Sequence, residues 1–266
     1  MEHSETIRRE FSKQAASFGE SGLTLSSQEY LAWMVDILPL QSDFRVLDVA
    51  AGTGHLSRAI APRVRQVVAM DMTPEMLENA KEEAARADLG NILFEEGDAA
   101  ALRYEDASFD MVVTRFAIHH FERPEVQFKE MVRVCRPDHA VGVIDLLSPA
   151  DQSLIASYNR LERVRDPSHT LALTKEQLVN TMGVSGLAVQ RIDTRDINVD
   201  FGRWIEMTET DQQTEVVISN ELKQELQGGV KTGMRPYLQD GTLKFIQTWC
   251  VAIGTRSSNK PIGDRP

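Results

Sequence analysis

The sequence predicts an α/β fold with a doubly wound, mostly parallel sheet of seven strands, and three observations carry the prediction. Between residues 44 and 146 short apolar runs alternate with amphipathic stretches, the strand, helix, strand pattern that right-handed crossovers turn into a parallel sheet covered on both faces. The first run breaks at Gly52-Thr53-Gly54 and resumes with helical spacing, as a strand-to-helix turn does. With 266 residues, 42% of them hydrophobic, the chain can bury a sizeable core, as one large domain or two small ones.

In chain order, the first forty residues read as a helical cover. Phe11 and Phe18 stand on a polar segment, and Leu31, Met34, Val35 and Leu38 recur at spacings of three and four, a stripe that packs on a core. FRVLDVA is a strand, HLSRAIAPR a helix and QVVAMD a second strand. PEMLENAKEEAARAD is a helix, with Pro74 in its first position and acidic residues in its first turn. NILFEEGD and FDMVVTR are strands, PEVQFKEMVRVCRP is a helix and AVGVIDLL the strand after it. Beyond Ser148-Pro149 the pattern changes. DQSLIASYNRLERVRD reads as one helix, and Thr174-Lys175-Glu176-Gln177 has the capping-box pattern that opens another. LAVQRIDTRDINV starts as a strand, residues 203–227 are polar and helix-prone, and GTLKFIQTWCVAIGT returns to the alternation of a last strand. The tail, SSNKPIGDRP, is polar with two prolines and is expected to be disordered.

Charge and cysteine content narrow the partners. The net charge of −11 argues against a nucleic-acid groove or an anionic membrane, because both need clustered Lys and Arg. The start of the chain has no apolar h-region and no stretch approaches 18 apolar residues, so a cytoplasmic protein without membrane insertion is expected. Cys135 and Cys250 stand apart, with no CxxC and no Cys/His pair at zinc spacing, so buried thiols rather than a disulfide or a metal are expected.

In a doubly wound sheet, ligands sit beyond the C-terminal strand ends, near the point where strand order reverses. Gly52 and Gly54 lie where a ligand would come closest to backbone. Three further residues fall at strand ends. Asp71 closes the second strand, where a carboxylate accepts from both hydroxyls of a ribose or caps the helix at Pro74. Asp98 follows Gly97 at the end of the third, as a ligand or a turn residue, and Arg115 ends the fourth, facing the ligand or a surface ion pair.

These residues carry a resemblance. Asp48-Val49-Ala50-Ala51-Gly52-Thr53-Gly54 is similar to the D-x-G-x-G-x-G signature of class I S-adenosylmethionine-dependent methyltransferases. The likeness continues through Asp71, Glu96-Gly97-Asp98-Ala99, Phe109-Asp110, the segment Arg115 to Phe121 and Glu130 to Pro137. It covers about residues 40–150 and comes closest to the branch of ubiquinone and menaquinone biosynthesis and small-molecule methyltransferases. The resemblance implies a Rossmann-like sheet with an antiparallel last strand and a helical lid. It also implies S-adenosyl-L-methionine as cofactor, with S-adenosylhomocysteine as product. Asp48 and the turn Ala50, Ala51, Gly52, Thr53 and Gly54 would cradle the methionine part. Asp71 would hold the ribose and Met72 pack on the adenine, with Gly97, Asp98 and Ala99 at the adenine amino group and the Arg115 backbone by the methionine ammonium. Ala50 replaces the first glycine, which suits a negative φ. Pro137-Asp138-His139 stands where Pro-Gly-Gly is usual, so that turn must take another conformation. Phe18 stands where relatives often carry a tyrosine.

Methyl transfer from a sulfonium is an in-line displacement of a neutral leaving group, so positioning and exclusion of water come first and a base is optional. Where a base is needed, histidine suits neutral pH. His119 and His120, past the fourth strand, and His169, in the tight turn Asp166-Pro167-Ser168-His169, are the candidates; packing or a structural corner is the alternative for each. The expected organisation is a cover over residues 1–40, a methyltransferase domain over 41–254 with a lid insertion near 201–238, and a tail from 255 to 266. Arg203 and Trp204 would line a pocket for an aromatic or anionic acceptor, or pack, and the lid serves the small-molecule acceptor or a homodimer contact. Two rival readings stand beside this one. One is a protein of the same fold that binds the cofactor without methylating. The other is an NAD-dependent oxidoreductase, which the missing G-x-G-x-x-G disfavours.

Overall fold

Every apolar run between residues 44 and 147 forms a strand, and nearly every amphipathic stretch between them forms a helix. The structure, a computed structural model, describes residues 2–14 and 24–256; Phe18 and the tail from residue 257 lie outside the described residues. Helix α1 spans Glu2–Gln14, and α2, Gln28–Ile37, follows a short 3-10 turn at Thr24–Ser26. The alternating region then runs β1 (Arg45–Val49), α3 (His55–Ile60), β2 (Gln66–Asp71), α4 (Pro74–Arg86), β3 (Ile92–Glu96), β4 (Phe109–Arg115), α5 (Pro124–Val134) and β5 (Cys135–Leu147). Last come α6 (Gln152–Arg165), α7 (Lys175–Val184), β6 (Leu187–Asp200), α8 (Phe201–Met207), α9 (Gln212–Leu226), β7 (Tyr237–Gln239) and β8 (Thr242–Arg256).

The local signals account for many boundaries. Pro74 and Pro124 sit in the first turns of α4 and α5, where a missing N–H is no loss. Asp151 caps α6 by accepting from the Ser153 N–H, and the Thr174–Gln177 capping box is fully formed at α7. The polar, helix-prone stretch 203–227 falls in α8 and α9. Two expectations need correction. The helix ending at Val134 stops short of Cys135, which opens β5 instead. Strand β8 extends through Thr255 and Arg256, the first two residues of the expected tail. Both cysteines are buried free thiols. The unusual turn at Pro137-Asp138-His139 is built by Asp138, which takes a φ of 63°.

Strand order is β3-β2-β1-β4-β5-β8-β6, with β7 pairing on β8. Strands β1 to β5 run parallel, and β8 is antiparallel to both β5 and β6. The seven-strand path is as expected, and β7 adds an eighth strand to the sheet. Alternate residues of each central strand feed two cores. Val46, Val67, Met111 and Ile144 join the helices α2, α3, α6, α8 and α9 on one face, and Leu47, Val68, Val112 and Val143 join α5 and α7 on the other. Each such side chain taken fully from water contributes about 1.5–3 kcal/mol. The chain leaves β1 toward β2 and returns as β4 on its other side. The crevice of the topological switch therefore opens between Val49 and Arg115.

Candidate functional site

The floor of that crevice is the turn after β1. Ala51 N–H donates to Met70 O (3.0 Å), Gly52 N–H to Asp71 Oδ2 (2.8 Å) and Gly54 N–H to Ala51 O (2.9 Å). Gly52 and Gly54 take left-handed φ values of 54° and 73°. A Cβ on Gly52 would meet nothing within 4 Å, so the space over the turn is open; at Gly54, which caps α3, it would sit 3.1 Å from the Ala80 Cβ. Ala50 overturns one expectation. Its φ is 56°, positive rather than negative, so an alanine is held where glycine is unstrained.

Three adjoining cavities lie over this floor. One is lined by Ala50, Ala51, Gly52, Thr53, Asp71, Met72 and Arg115. A second is lined by Ala50, Met72, Gly97, Asp98 and Ala99 under His3, Ser4 and Ile7 of α1. The third lies against α8, between Phe116, His119, Leu146, Arg165, Arg203, Trp204 and Trp249. His120 lines all three. The first two together suit an elongated ligand lying from the glycine turn to the end of β3. The third is a separate space with largely aromatic and apolar walls.

Most of the residues expected at a cofactor meet here, and three sit otherwise. Gly54 lies in the packed start of α3, behind the floor. Asp48 is 1% exposed beneath the turn, accepting from Ser57 Oγ at 2.6 Å; burial pushes its carboxyl up to about 7 against the pull of Ser57 and Arg115. Asp71 lines the cavity, but both its oxygens already accept backbone N–H groups, Oδ2 from Gly52 and Oδ1 from Thr73 (2.9 Å). It ties the turn to the start of α4 and offers a ligand only its remaining lone pairs. The Arg115 guanidinium donates to Leu25 O and stacks on Phe116, 4.8 Å from the ring centroid, bringing residues 24–26 to the cavity mouth. Burial lowers its pKa to about 10, with Asp48 opposing.

The three histidines form one buried row of tilted rings, His120 to His119 at 4.1 Å between centroids and His119 to His169 at 5.4 Å. His119 Nδ1 meets Asp145 Oδ1 at 2.5 Å, and Asp145 Oδ2 accepts the Ile118 N–H at 2.8 Å. Burial lowers the His119 pKa, but Asp145, with Glu162 and Asp166 further off, outweighs it and leaves the net shift upward. Burial and the neighbouring His119 push His120 down. His120 Nδ1 reaches Ser168 O at 3.1 Å and Ser168 Oγ at 3.0 Å, and that hydroxyl donates to Asp166 Oδ1 at 2.5 Å. His169 lies behind His119 and lines none of the three cavities. Its Nε2 bonds Asn159 Oδ1 at 2.8 Å and burial lowers its pKa, so it fits a structural corner and not a base touching an acceptor.

Sequence reasoning missed Asp145, Asn159, Glu162 and Gln247. Asp145 carried a signal, as a lone carboxylate inside the apolar run VIDLL. The others gave none, because a polar residue on an amphipathic helix or an alternating strand is ordinary until the fold buries it. Buried Glu162 accepts from Gln247 Nε2 at 2.7 Å and pairs with Arg165 at 3.4 Å, and Arg165 stacks over Trp204 at 4.5 Å.

Comparison with known proteins points the same way. The family profile described as "Methyltransferase domain" matches residues 46–138. The chain is 30% identical to an uncharacterized methyltransferase, YcgJ of Bacillus subtilis, over 78% of this chain and 82% of that one. The crystal structure of YcgJ superposes with a TM-score of 0.78 at 26% identity, covering 88% of this chain and all of that one. The ubiquinone/menaquinone biosynthesis C-methyltransferase UbiE of Bdellovibrio bacteriovorus is 35% identical over 53% of this chain and 62% of its own length.

Proposed function

The chain belongs to the methyltransferase family and is an S-adenosylmethionine-dependent methyltransferase, and on that basis we propose that it methylates a small organic acceptor bound under the lid. The observation that carries the proposal is the position of His120, at a junction that borders both cavities over the glycine turn and the cavity under the lid. A methyl group delivered from the turn side reaches an acceptor on the lid side only through such a junction.

On this reading the turn Ala50–Thr53 and Asp71 hold the methionine and ribose portions, with Met72, Gly97, Asp98 and Ala99 around the adenine. The open space over Gly52 and the free lone pairs of Asp71 fit such a ligand. The bound sulfonium supplies an activated methyl group; the chain's own residues orient and desolvate. Helix α1 covers the junction with Ile7 and Phe11, the Phe11 and His120 rings meeting edge to face with centroids 5.0 Å apart, while Trp204 and Trp249 close the acceptor side. In-line geometry and a dry cavity are the main demands of the reaction. Titration calorimetry with S-adenosylhomocysteine, with NADH as control, tests the proposal. Micromolar binding of the first and none of the second is expected, and the reverse would return the oxidoreductase reading.

A further inference from the structure

Resting on the methyltransferase reading, we infer that His119 is the base that takes the acceptor's proton, with Asp145 as its positioning residue, and that the acceptor is a phenolic or enolic hydroxyl. An ionised carboxylate only accepts, so the 2.5 Å contact with Asp145 Oδ1 places the ring hydrogen of neutral His119 on Nδ1 and leaves the Nε2 lone pair bare. His120 is fixed in the same tautomer. Ser168 O is a carbonyl, and the single hydrogen of Ser168 Oγ goes to Asp166, so His120 Nδ1 must also be the donor.

Each ring thus keeps a lone pair on Nε2, and the two rings, 4.1 Å apart between centroids, differ in how well each can carry a second proton. His119 has a carboxylate, 3% exposed, to stabilise its imidazolium; His120 has only a carbonyl and a hydroxyl. The groups around His119 are Asp145 on β5, Glu162 and Arg165 on α6, Asp166 and His169 in the next turn, and His120 beside it; their combined effect favours the proton on His119. Location agrees with this assignment. His119 lines only the lid-side cavity, where the acceptor would lie, while His120 also borders both cofactor cavities. A buried carboxylate on Nδ1 that holds the tautomer and supports the cation is the arrangement hydrolases use to make histidine a base.

The acceptor class follows from why a base would be built. A neutral amine attacks with its own lone pair and sheds its proton afterwards. A phenol, with a pKa near 10 in water, stays protonated at neutral pH and needs help. Aromatic walls at Phe116, Trp204 and Trp249 suit a flat, conjugated molecule. In the step itself, the hydroxyl proton passes to His119 Nε2 and an oxygen lone pair forms the new bond to the methyl carbon. The carbon–sulfur bond breaks with its pair kept on sulfur, and the proton on His119 leaves to solvent with the product.

The alternative is that Asp145 only caps the turn Ile118–His120. Two measurements separate the readings. Nitrogen NMR of histidine-labelled protein, with and without S-adenosylhomocysteine, should find His119 protonated on Nδ1 alone when neutral, and Asp145→Asn should move that hydrogen toward Nε2. The second probe is 4-nitrophenol, added to protein saturated with S-adenosylhomocysteine at a pH below the probe's own pKa. The bound probe should show a severalfold larger ionised fraction than the free probe, and His119→Gln and Asp145→Asn should abolish the increase. A wild-type complex in which the probe stays neutral, no complex at all, or an Nε2-protonated His119 in wild type overturns the inference. Calorimetry on the same preparations keeps the two ideas apart. Failure to bind S-adenosylhomocysteine counts against the proposed function, while the NMR of the unliganded protein still reads the His119–Asp145 pair.

Discussion

Replacing Asp71 by alanine should damage both the fold and the site. From sequence alone its carboxylate is a ribose ligand or a cap for the helix at Pro74. In the structure it also bridges Gly52 N–H at 2.8 Å and Thr73 N–H at 2.9 Å, at a position 8% exposed. Hydrogen bonds to a charged group contribute about 1.5–3 kcal/mol each, which for two bonds sets an upper range near 6 kcal/mol. Part of this is offset because the carboxylate's own burial is unfavourable, as its raised pKa indicates. A net loss of roughly 3 kcal/mol, the low end of that range, is expected. The same substitution should weaken S-adenosylhomocysteine by about 1–3 kcal/mol, or roughly 5- to 150-fold. Urea unfolding followed by tryptophan fluorescence gives the first quantity and calorimetry on the folded variant the second. Asp71→Asn, which keeps one acceptor oxygen, should fall between wild type and Asp71→Ala in stability. A variant with the wild-type unfolding midpoint would refute the bridging role, and one with wild-type affinity would remove Asp71 from the binding site.

Two further outcomes are expected at the same turn. Ala50→Gly relieves an alanine held at a φ of 56° and should raise stability by about 1 kcal/mol in urea unfolding; a loss would mean that the turn does not hold residue 50 in the left-handed region. Asp48 gives a pH dependence. Its folded pKa of about 7 lies above that of an unfolded aspartate, so between about pH 4 and 7 the native state binds the extra proton and stability falls as pH rises. Asp48→Asn should remove that slope and be more stable than wild type at pH 8 by up to roughly 4 kcal/mol, the equivalent of three pKa units. A gap that stays constant from pH 5 to 8 would mean that Asp48 is ionised throughout.

Much of this protein is legible along the chain because the signals are local. Apolar runs such as VVAMD and MVVTR can only be buried strands between amphipathic helices, Pro74 and the Thr174 capping box mark helix starts without help from distant residues, and the glycine turn announces the ligand edge. The lining of the cavities over the glycine turn was legible for the same reason, because its residues sit at successive strand ends, and parallel strands carry all such ends to one side of the sheet.

The acceptor side was not legible, because its contacts join residues far apart in sequence. His119 and Asp145 are separated by 26 positions and His120 and Ser168 by 48, and no periodicity links them. Which of three histidines faces a cavity, which ring nitrogen carries the hydrogen, and that Asp71 is already engaged by backbone all depend on how β4, β5 and α6 pack. Short-range pattern and chain handedness were enough to set the sheet, its order of elements and the edge where the cavities open. The left-handed Ala50 and the pairing of His119 with a buried carboxylate came only from packing. Those depend on burial and on distances of a few ångströms between segments that the chain order does not place side by side.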